Sequence, residues 1–253
     1  MSSVFCQKFA GGRVEIVLNR PQRKNALNRQ AAVEFRAAVS ASLQAPVVLL
    51  RGEGGSFCSG GDLDELHGLA AADLQATMAQ VQEALLDLSR ASALSVAWVE
   101  GVALGGGVEL ALAADLIWMH PQARLRAAQL EMGLVPGWGG LERAIGRLGA
   151  ARGRSLFLDP QWIGAEQALA AGLADRVVAD LVTARHQADQ LAELAPDAVA
   201  AIKRESAVSP GLFARLWEGP AHQQAVARFK ASRNPTTAQS GASDDQAGGE
   251  AGA

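Results

Sequence analysis

The chain has 253 residues, of which 49% are hydrophobic, with a formal net charge of −3 and a pI near 5.8. This length accommodates one sizeable core with a small appendage. The acidic balance, with no basic run, argues against nucleic acid or an anionic membrane as a partner. No apolar run approaches the roughly 18 residues of a membrane span, and the first residues lack a signal-peptide pattern. We therefore expect a cytoplasmic protein.

The residues able to bind metals or form cross-links are few and scattered. The only cysteines, Cys6 and Cys58, lack metal-ligand spacing, and none of the four histidines lies in a hydrolase motif. We expect neither a disulfide nor a metal site.

The first half of the chain alternates predicted strands, glycine-rich turns and helices. Polar and apolar residues alternate over 13–18, which predicts a half-buried strand. The loop 19–28 follows, with the cations Arg20, Arg23 and Lys24, which suit phosphate as well as solvent. A helix is predicted over 29–43 and a buried strand over 47–51. Residues 52–63, GEGGSFCSGGDL, then form a glycine-rich turn between a strand and a helix.

The second half begins with the same pattern and ends with helices. A helix over 69–90 and a buried strand over 94–99 precede the triple glycine of GVALGGGVE, which opens a helix over 108–114. Short strands are predicted over 116–119, 125–128 and 176–178, and helices over 141–148, 150–158 and 165–171. The pattern is helical from about residue 180, and the polar tail from about residue 234 is predicted to be disordered.

The two glycine-rich turns are the strongest indication of a site. If their strands are neighbours, both turns lie at one edge of the sheet, where open α/β sheets bind ligands. Free N–H groups at helix starts and the missing Cβ of glycine let an anionic oxygen approach closely. We expect the N–H groups of Ser59 and Gly106 to converge as a two-donor oxyanion hole. The alternative is two ordinary helix starts, with Asp62 as a cap.

Glu109 follows the triple glycine among apolar neighbours. A carboxylate in such surroundings is either a buried structural hydrogen-bonding group or a tuned acid/base.

Five segments in register resemble the crotonase (enoyl-CoA hydratase/isomerase) superfamily: NRPQRKNALN, FCSGGDL, GVALGGGVELALAADL, EMGLVPGWGGLERAIG and AEQALAAGLADRVV. The resemblance implies an α/β fold with a spiral of ββα repeats over 1–180, a helical trimerisation region over 181–233 and a disordered tail over 234–253. It also implies a homotrimer or a dimer of trimers. The implied substrate is an acyl-CoA, with no cofactor beyond the coenzyme A of that substrate.

The resemblance also implies roles for individual residues. The thioester oxygen would be held by the N–H groups of Ser59 and Gly106, and Glu109 would transfer the proton. Leu134 and Trp138 would line the acyl pocket, with plain packing as the alternative for Trp138. The implied substrate and CoA contacts are Arg23, Lys24, Ala26, Leu27, Gly61, Asp62, Leu63, Gly105, Leu134 and Trp138.

The sequence departs from the hydratase pattern at Gln129. Hydratases of this family use a second glutamate twenty residues after the first, and an amide can hold a water but cannot exchange its proton. The motifs are most similar to the ethylmalonyl-CoA decarboxylase-like branch. Loss of CO2 from a malonyl-type thioester generates the enolate without a base, and isomerisation needs one shuttling group. We predict one of these reactions rather than simple hydration.

Three alternatives remain open: a genuine enoyl-CoA hydratase of fatty-acid or amino-acid breakdown, a non-catalytic subunit that binds acyl-CoA or an acyl carrier, and hydrolysis of the thioester, which normally needs a further nucleophile or base. Glu131 would share a face with Gln129 if the segment is extended. We interpret Glu131 as a surface or structural residue.

Overall fold

The computed structural model describes residues 2–204 and 209–233. These residues form two compact units, one that ends after the helix at Pro196–Arg204 and one that contains the two helices that follow. The core limit expected at residue 180 therefore lies inside the first unit. The tail predicted to be disordered, 234–253, lies outside the described residues.

The secondary structure alternates strands and helices up to residue 177 and is helical afterwards. The strands are β1 (Val4–Lys8), β2 (Arg13–Leu18), β3 (Val47–Gly52), β4 (Leu94–Val99), β5 (Val102–Leu104), β6 (Leu116–Met119), β7 (Arg124–Arg126), β8 (Ile163–Gly164) and β9 (Arg176–Val177). The helices are α1 (Arg29–Ser40), α2 (Leu63–Leu66), α3 (Ala71–Arg90), α4 (Gly106–Leu112), α5 (Gly140–Leu148), α6 (Ala150–Leu158), α7 (Ala165–Ala170), α8 (Leu181–Ala192), α9 (Pro196–Arg204), α10 (Pro210–Glu218) and α11 (Pro220–Arg233). Two 3-10 turns span Pro21–Arg23 and Gln129–Met132.

Two sheets organise the first unit. The larger has the strand order β1-β2-β3-β4-β6-β9, in which only β1 runs antiparallel to its neighbour. The smaller has the order β5-β7-β8. Because β3 and β4 are neighbouring parallel strands, the glycine-rich turns that follow them lie at the same edge, as predicted. Strands β1, β5 and β8 were not predicted.

Strand β3 shows why the larger sheet contains unbroken apolar runs. Successive side chains of a strand point to opposite faces. Val48 and Leu50 belong to the main core, with α1 and α3, whereas Val47 and Leu49 belong to a second core that includes residues of α8. Helix α8 is capped by Asp180, whose side chain accepts a hydrogen bond from Thr183 N at 2.7 Å. Both faces of β3 are therefore buried.

Strand β2 corrects the sequence analysis, because all of its residues are buried rather than half of them. Its polar residues enter an ionic cluster that we define as Arg13, Glu15, Arg51 and Arg185. Glu15 accepts hydrogen bonds from Arg13, from Arg51 Nε at 2.8 Å and from Arg185 Nε at 2.7 Å. Burial raises the pKa of the Glu15 carboxyl, but hydrogen bonds from Arg185 and Arg51 outweigh that effect and hold the pKa below its ordinary value.

The second unit is a pair of packed helices. Ser209 Oγ accepts a hydrogen bond from Leu212 N at 3.2 Å and so caps α10, which begins with a proline. The ring of Trp217 lies 5.8 Å from that of Phe213 and 4.3 Å from that of His222. No helix of the described ranges is long and apolar enough to cross a bilayer. The trimerisation role expected of the C-terminal helices remains a prediction.

Candidate active site

The turn after β3 is built by hydrogen bonds to strand β5 and to the loop before α1. The N–H groups of Phe57 and Cys58 donate to Val102 O at 3.1 Å, and Leu104 N donates to Cys58 O at 2.9 Å. On the other side, Leu27 N donates to Gly60 O at 2.8 Å. The turn is therefore held between two backbone segments.

The two glycine-rich turns touch through their backbones at Gly60 and Gly106. Gly60 has a φ of +95°, and a Cβ at this position would lie 2.9 Å from Gly106 N and 3.1 Å from Leu104 O. A Cβ on Gly107 would lie 2.0 Å from Cys58 O. Side chains at these positions would separate the two turns, which explains the glycines at this contact.

The N–H group of Ser59 is not available to a ligand, which corrects the prediction for this residue. It donates to Lys24 O at 3.0 Å. Gly60 N donates to the sulfur of Cys58 at 3.3 Å, and Asp62 N donates to Leu27 O at 2.9 Å. In the segment 57–62, the N–H of Gly61 is the one backbone N–H that has no acceptor among the described residues.

Gly106 supplies a second unengaged N–H. It is the first residue of α4, so its N–H has no acceptor within the helix, and none of the other described residues provides one. Gly61 lies one peptide unit beyond Gly60, which contacts Gly106. Two free backbone donors thus lie on adjoining turns.

Glu109 lies in the first turn of α4 and is 2% exposed. Its Oε1 accepts hydrogen bonds from Gln129 Nε2 at 2.9 Å and from Gly137 N at 3.2 Å. Its Oε2 accepts from Trp138 N at 2.7 Å and from Gly140 N at 2.9 Å. These four donors occupy the four acceptor positions of a carboxylate.

Two opposing effects act on the pKa of Glu109. Burial raises the pKa of its carboxyl above the ordinary value, and this effect dominates. The hydrogen bonds from Gly140, Trp138 and Gln129 act in the opposite direction because they favour the ionised form. Glu109 also anchors the start of α5, since Gly140 is the first residue of that helix.

Glycine is required at positions 140 and 106 because the side chains of Glu109 and Trp138 pack directly on them. A Cβ on Gly140 would lie 2.5 Å from Glu109 Cγ, and a Cβ on Gly106 would lie 2.2 Å from Trp138 Cζ3. Trp138 is buried, and Arg143 Nη1 donates to Trp138 O at 2.6 Å. The indole ring therefore lies against Gly106, one of the two residues with a free N–H.

Gln129 is buried and faces Glu109, as the family resemblance implied, but the backbone around it is not extended. Residues 129–132 form a 3-10 turn, so Gln129 and Glu131 do not share a face. Glu131 is exposed and pairs with Arg126. The Oε1 atom of Gln129 is buried and has no hydrogen-bond partner.

The cations before α1 differ in what surrounds them. Arg20 Nη1 lies 2.9 Å from Asp62 Oδ2, and Arg23 Nη1 lies 2.9 Å from Asp64 Oδ2. Lys24 is exposed and has no ion-pair partner among the described residues. Asp62 occupies the N-cap position of α2, as the alternative held, but its side chain makes no capping hydrogen bond there.

The remaining predicted contacts are divided between the surface and the interior. Ala26 and Leu27 are buried beside the turn after β3, and Gly105 precedes Gly106 with a partly exposed backbone. Leu63 and Leu134 are 54% and 55% exposed, respectively. In the free protein these two leucines are surface residues.

Asn25 is a structural residue of the site that the sequence analysis missed. It is 1% exposed and has a φ of 58°. Its side chain accepts a hydrogen bond from Arg20 N and donates to the carbonyls of Glu53 and Ser56. A buried asparagine at positive φ is uncommon and has a structural reason where it occurs, but its φ cannot be read from the sequence.

The sequence profile described as enoyl-CoA hydratase/isomerase matches residues 8–210. The chain belongs to this family. It is 34% identical over 181 residues to the ethylmalonyl-CoA decarboxylase of Xenopus tropicalis, covering 70% of this chain and 60% of the frog protein. It is 31% identical to the ethylmalonyl-CoA decarboxylase of Danio rerio, covering 87% and 84% of the two chains.

Solved structures of the enoyl-CoA hydratase/isomerase family share the fold. An enoyl-CoA hydratase/isomerase from Mycobacterium abscessus is 28% identical with a TM-score of 0.81, over 90% of this chain and 96% of its own. An enoyl-CoA hydratase from Thermobifida fusca YX, in complex with acetoacetyl-CoA, is 28% identical with a TM-score of 0.72, over 92% and 94%. The α/β crotonase fold predicted from the sequence is confirmed.

Proposed function

We propose that this family member decarboxylates a malonyl-type acyl-CoA through a thioester enolate. The observation that carries the proposal is the pairing of Glu109 with the amide of Gln129, at 2.9 Å. Hydration needs two groups that exchange protons, whereas the proposed reaction needs one acid. The two ethylmalonyl-CoA decarboxylases support this choice, as proteins of similar sequence.

The enolate would be stabilised by the N–H groups of Gly61 and Gly106. Both lack an acceptor among the described residues, and both are partly exposed on turns that touch at Gly60. Preorganised donors aimed at a developing oxyanion lower the barrier without reorganisation during the reaction. Gly61 takes the role that the sequence analysis gave to Ser59.

The bond between the α-carbon and the carboxylate breaks, CO2 leaves, and the electron pair moves into the thioester to form the enolate. A proton then adds to the α-carbon, which returns the electrons to a C–H bond and regenerates the carbonyl. The products are CO2 and the acyl-CoA shortened by that carboxylate.

Glu109 is the proposed proton donor. Its burial favours the protonated form, as the direction of its pKa shift indicates. Because four N–H groups occupy its oxygens, protonation requires one of them to withdraw. The bond from Gly137 N, at 3.2 Å, is the longest of the four and therefore the one we expect to open.

The coenzyme A portion of the substrate would run past the loop before α1. Lys24 offers an exposed ammonium beside Arg23, which is itself partly neutralised by Asp64. The Thermobifida fusca protein, solved with acetoacetyl-CoA, supports an acyl-CoA ligand. The cytoplasmic location and the trimeric or hexameric assembly expected from the sequence remain predictions.

The reaction is tested by mass spectrometry of the protein incubated separately with ethylmalonyl-CoA, methylmalonyl-CoA, a 3-enoyl-CoA and crotonyl-CoA. We expect loss of CO2 from the malonyl thioesters and little addition of water to crotonyl-CoA. Rapid hydration of crotonyl-CoA without decarboxylation would refute the proposal. Migration of the double bond in the 3-enoyl-CoA alone would favour an isomerase.

The oxyanion hole is tested with Gly61→Pro, which removes the N–H, against Gly61→Ala, which keeps it. The φ of Gly61 is outside the left-handed region, and a Cβ there meets only the flexible end of Leu66, at 2.8 Å, in either variant. Loss of one oxyanion donor costs about 100- to 1,000-fold in kcat. We expect that loss for proline and a much smaller one for alanine. Equal rates for the two variants would exclude the Gly61 N–H from the reaction.

A further inference from the structure

Asn25 uses all of its hydrogen-bonding groups to join the loop before α1 to the turn after β3. Its Oδ1 accepts from Arg20 N at 2.8 Å, and its Nδ2 donates to Glu53 O at 2.9 Å and to Ser56 O at 2.7 Å. Its backbone N–H donates to Arg20 O at 2.9 Å, and the thiol of Cys58 donates to Asn25 O at 3.2 Å. An amide side chain is needed here because one group must both accept and donate.

The neighbours of Asn25 continue this contact along the turn. Lys24 O accepts from Ser59 N, and Leu27 pairs with both Gly60 and Asp62. The segment 24–27 thus fixes the peptide groups on both sides of Gly61 while leaving the Gly61 N–H unengaged.

The backbone at Asn25 is also specialised. Its φ of 58° is in the left-handed region, which asparagine tolerates better than most side chains. The approach to β3 is equally close, since a Cβ on Gly52 would lie 2.6 Å from Asn25 Nδ2. Few residue types satisfy this combination of backbone conformation and hydrogen bonding.

We propose that Asn25 is a positioning residue for the enolate-stabilising site: by tying the carbonyls of Glu53 and Ser56 to the segment 24–27, it sets the direction of the Gly61 N–H. This inference rests on the proposed function, because it concerns the same oxyanion hole. Asn25 is 1% exposed, so we assign it an indirect role, exerted through the backbone of the turn. Asn25 thus controls how strongly the site polarises a thioester carbonyl.

The variant Asn25→Gly tests this role, because glycine adopts the same φ without steric strain but removes the amide. The matched control is Asp180→Ala, which removes the cap of α8 and so lowers stability away from both turns. The probe is butyryl-CoA labelled with 13C at its carbonyl, bound to each protein and examined by difference infrared spectroscopy. If Asn25→Gly does not fold, Asn25→Asp, which also tolerates positive φ, is used in its place.

We expect the carbonyl stretch to move to lower frequency on binding to the wild-type protein and to Asp180→Ala. In Asn25→Gly we expect at least half of that movement to be lost, with kcat lower by about 100-fold, the cost of misplacing a catalytic group by about 1 Å, and KM little changed. If the carbonyl stretch moved as far in Asn25→Gly as in the wild type, the positioning role of Asn25 would be refuted, but the oxyanion hole would stand. Absence of a shift in the wild-type protein would overturn the oxyanion hole itself, and the positioning role with it.

Discussion

Replacing Gln129 with glutamate places a second carboxylate against Glu109. The atoms Gln129 Nε2 and Glu109 Oε1 are 2.9 Å apart, and both side chains are buried. Two unit charges at that distance repel by about 6 kcal/mol at an effective dielectric constant of about 20, which strongly disfavours ionisation of both carboxyls together. Gln129→Glu should therefore bind one proton at neutral pH, shared by the two carboxylates.

This proton changes how stability depends on pH. A carboxyl whose pKa is higher in the folded state than in the unfolded state makes the folded protein bind more protons, so stability falls as pH rises through the interval between the two values. We expect the melting temperature of Gln129→Glu, relative to the wild type, to be lower at pH 8 than at pH 5. We also expect faster hydration of crotonyl-CoA, because the variant has two proton-exchanging groups.

The matched control is Gln129→Met, which removes the hydrogen bond to Glu109 without adding charge. Because the lost hydrogen bond favoured the ionised form of Glu109, the loss of stability in Gln129→Met should also be larger at pH 8 than at pH 5, but by less than in Gln129→Glu, which adds a second charge. If Gln129→Glu showed the same pH dependence as Gln129→Met, the two side chains would not be coupled as the structure indicates, and the argument from their distance would be refuted.

Two further variants test the buried carboxylates. In Glu109→Gln the amide of Gln129 can turn so that its unpartnered Oε1 accepts a hydrogen bond from the new amide, and we expect the protein to fold. Its decarboxylation, followed by mass spectrometry, should be slower by about 100-fold or more. Unchanged turnover would remove Glu109 from the mechanism. Glu15→Gln leaves three arginines without their shared anion and should cost about 3–5 kcal/mol in urea denaturation, against about 0–1 kcal/mol for the half-exposed Glu53→Gln. Since the pKa of Glu15 is lowered in the folded state, the stability that Glu15 contributes is present above its unfolded pKa and is lost as pH falls through its folded pKa. The free energies of unfolding of the wild type and Glu15→Gln should therefore converge in acid. A difference between them that did not change with pH would contradict this assignment.

The sequence predicted the larger elements because their periodicity extends over several turns or residues. Strands β2, β4 and β6 and helix α6 have the bounds expected from the pattern. Strand β5 has three residues and β8 has two, which is too short for a periodic signal. The sequence left the conformation of residues 129–132 open, and they form a 3-10 turn; so short a stretch has no periodicity to distinguish that turn from an extended segment.

The site was predictable in its residue types but not in its hydrogen-bond directions. The glycine-rich turns, Glu109 and Gln129 come together as the motifs indicated. The choice between Ser59 and Gly61 depends on which peptide N–H already donates to Lys24 O, a contact made by a separate loop. The burial of Glu15 likewise depends on Arg185, which is 170 residues away. Neither partner is visible in a local pattern.

Because Glu15 and Arg185 are 170 residues apart, their contact can form only late in the synthesis of the chain. Strands β2 and β3, which carry Glu15 and Arg51, leave the ribosome long before α8 is made. Until α8 arrives, one side of these strands lacks its cover, and their charged groups keep their water. Long-range contacts of this kind are slow to form and leave strands exposed to aggregation in the meantime. We expect nascent chains that end before residue 181 to be captured by chaperones more strongly than chains that include α8.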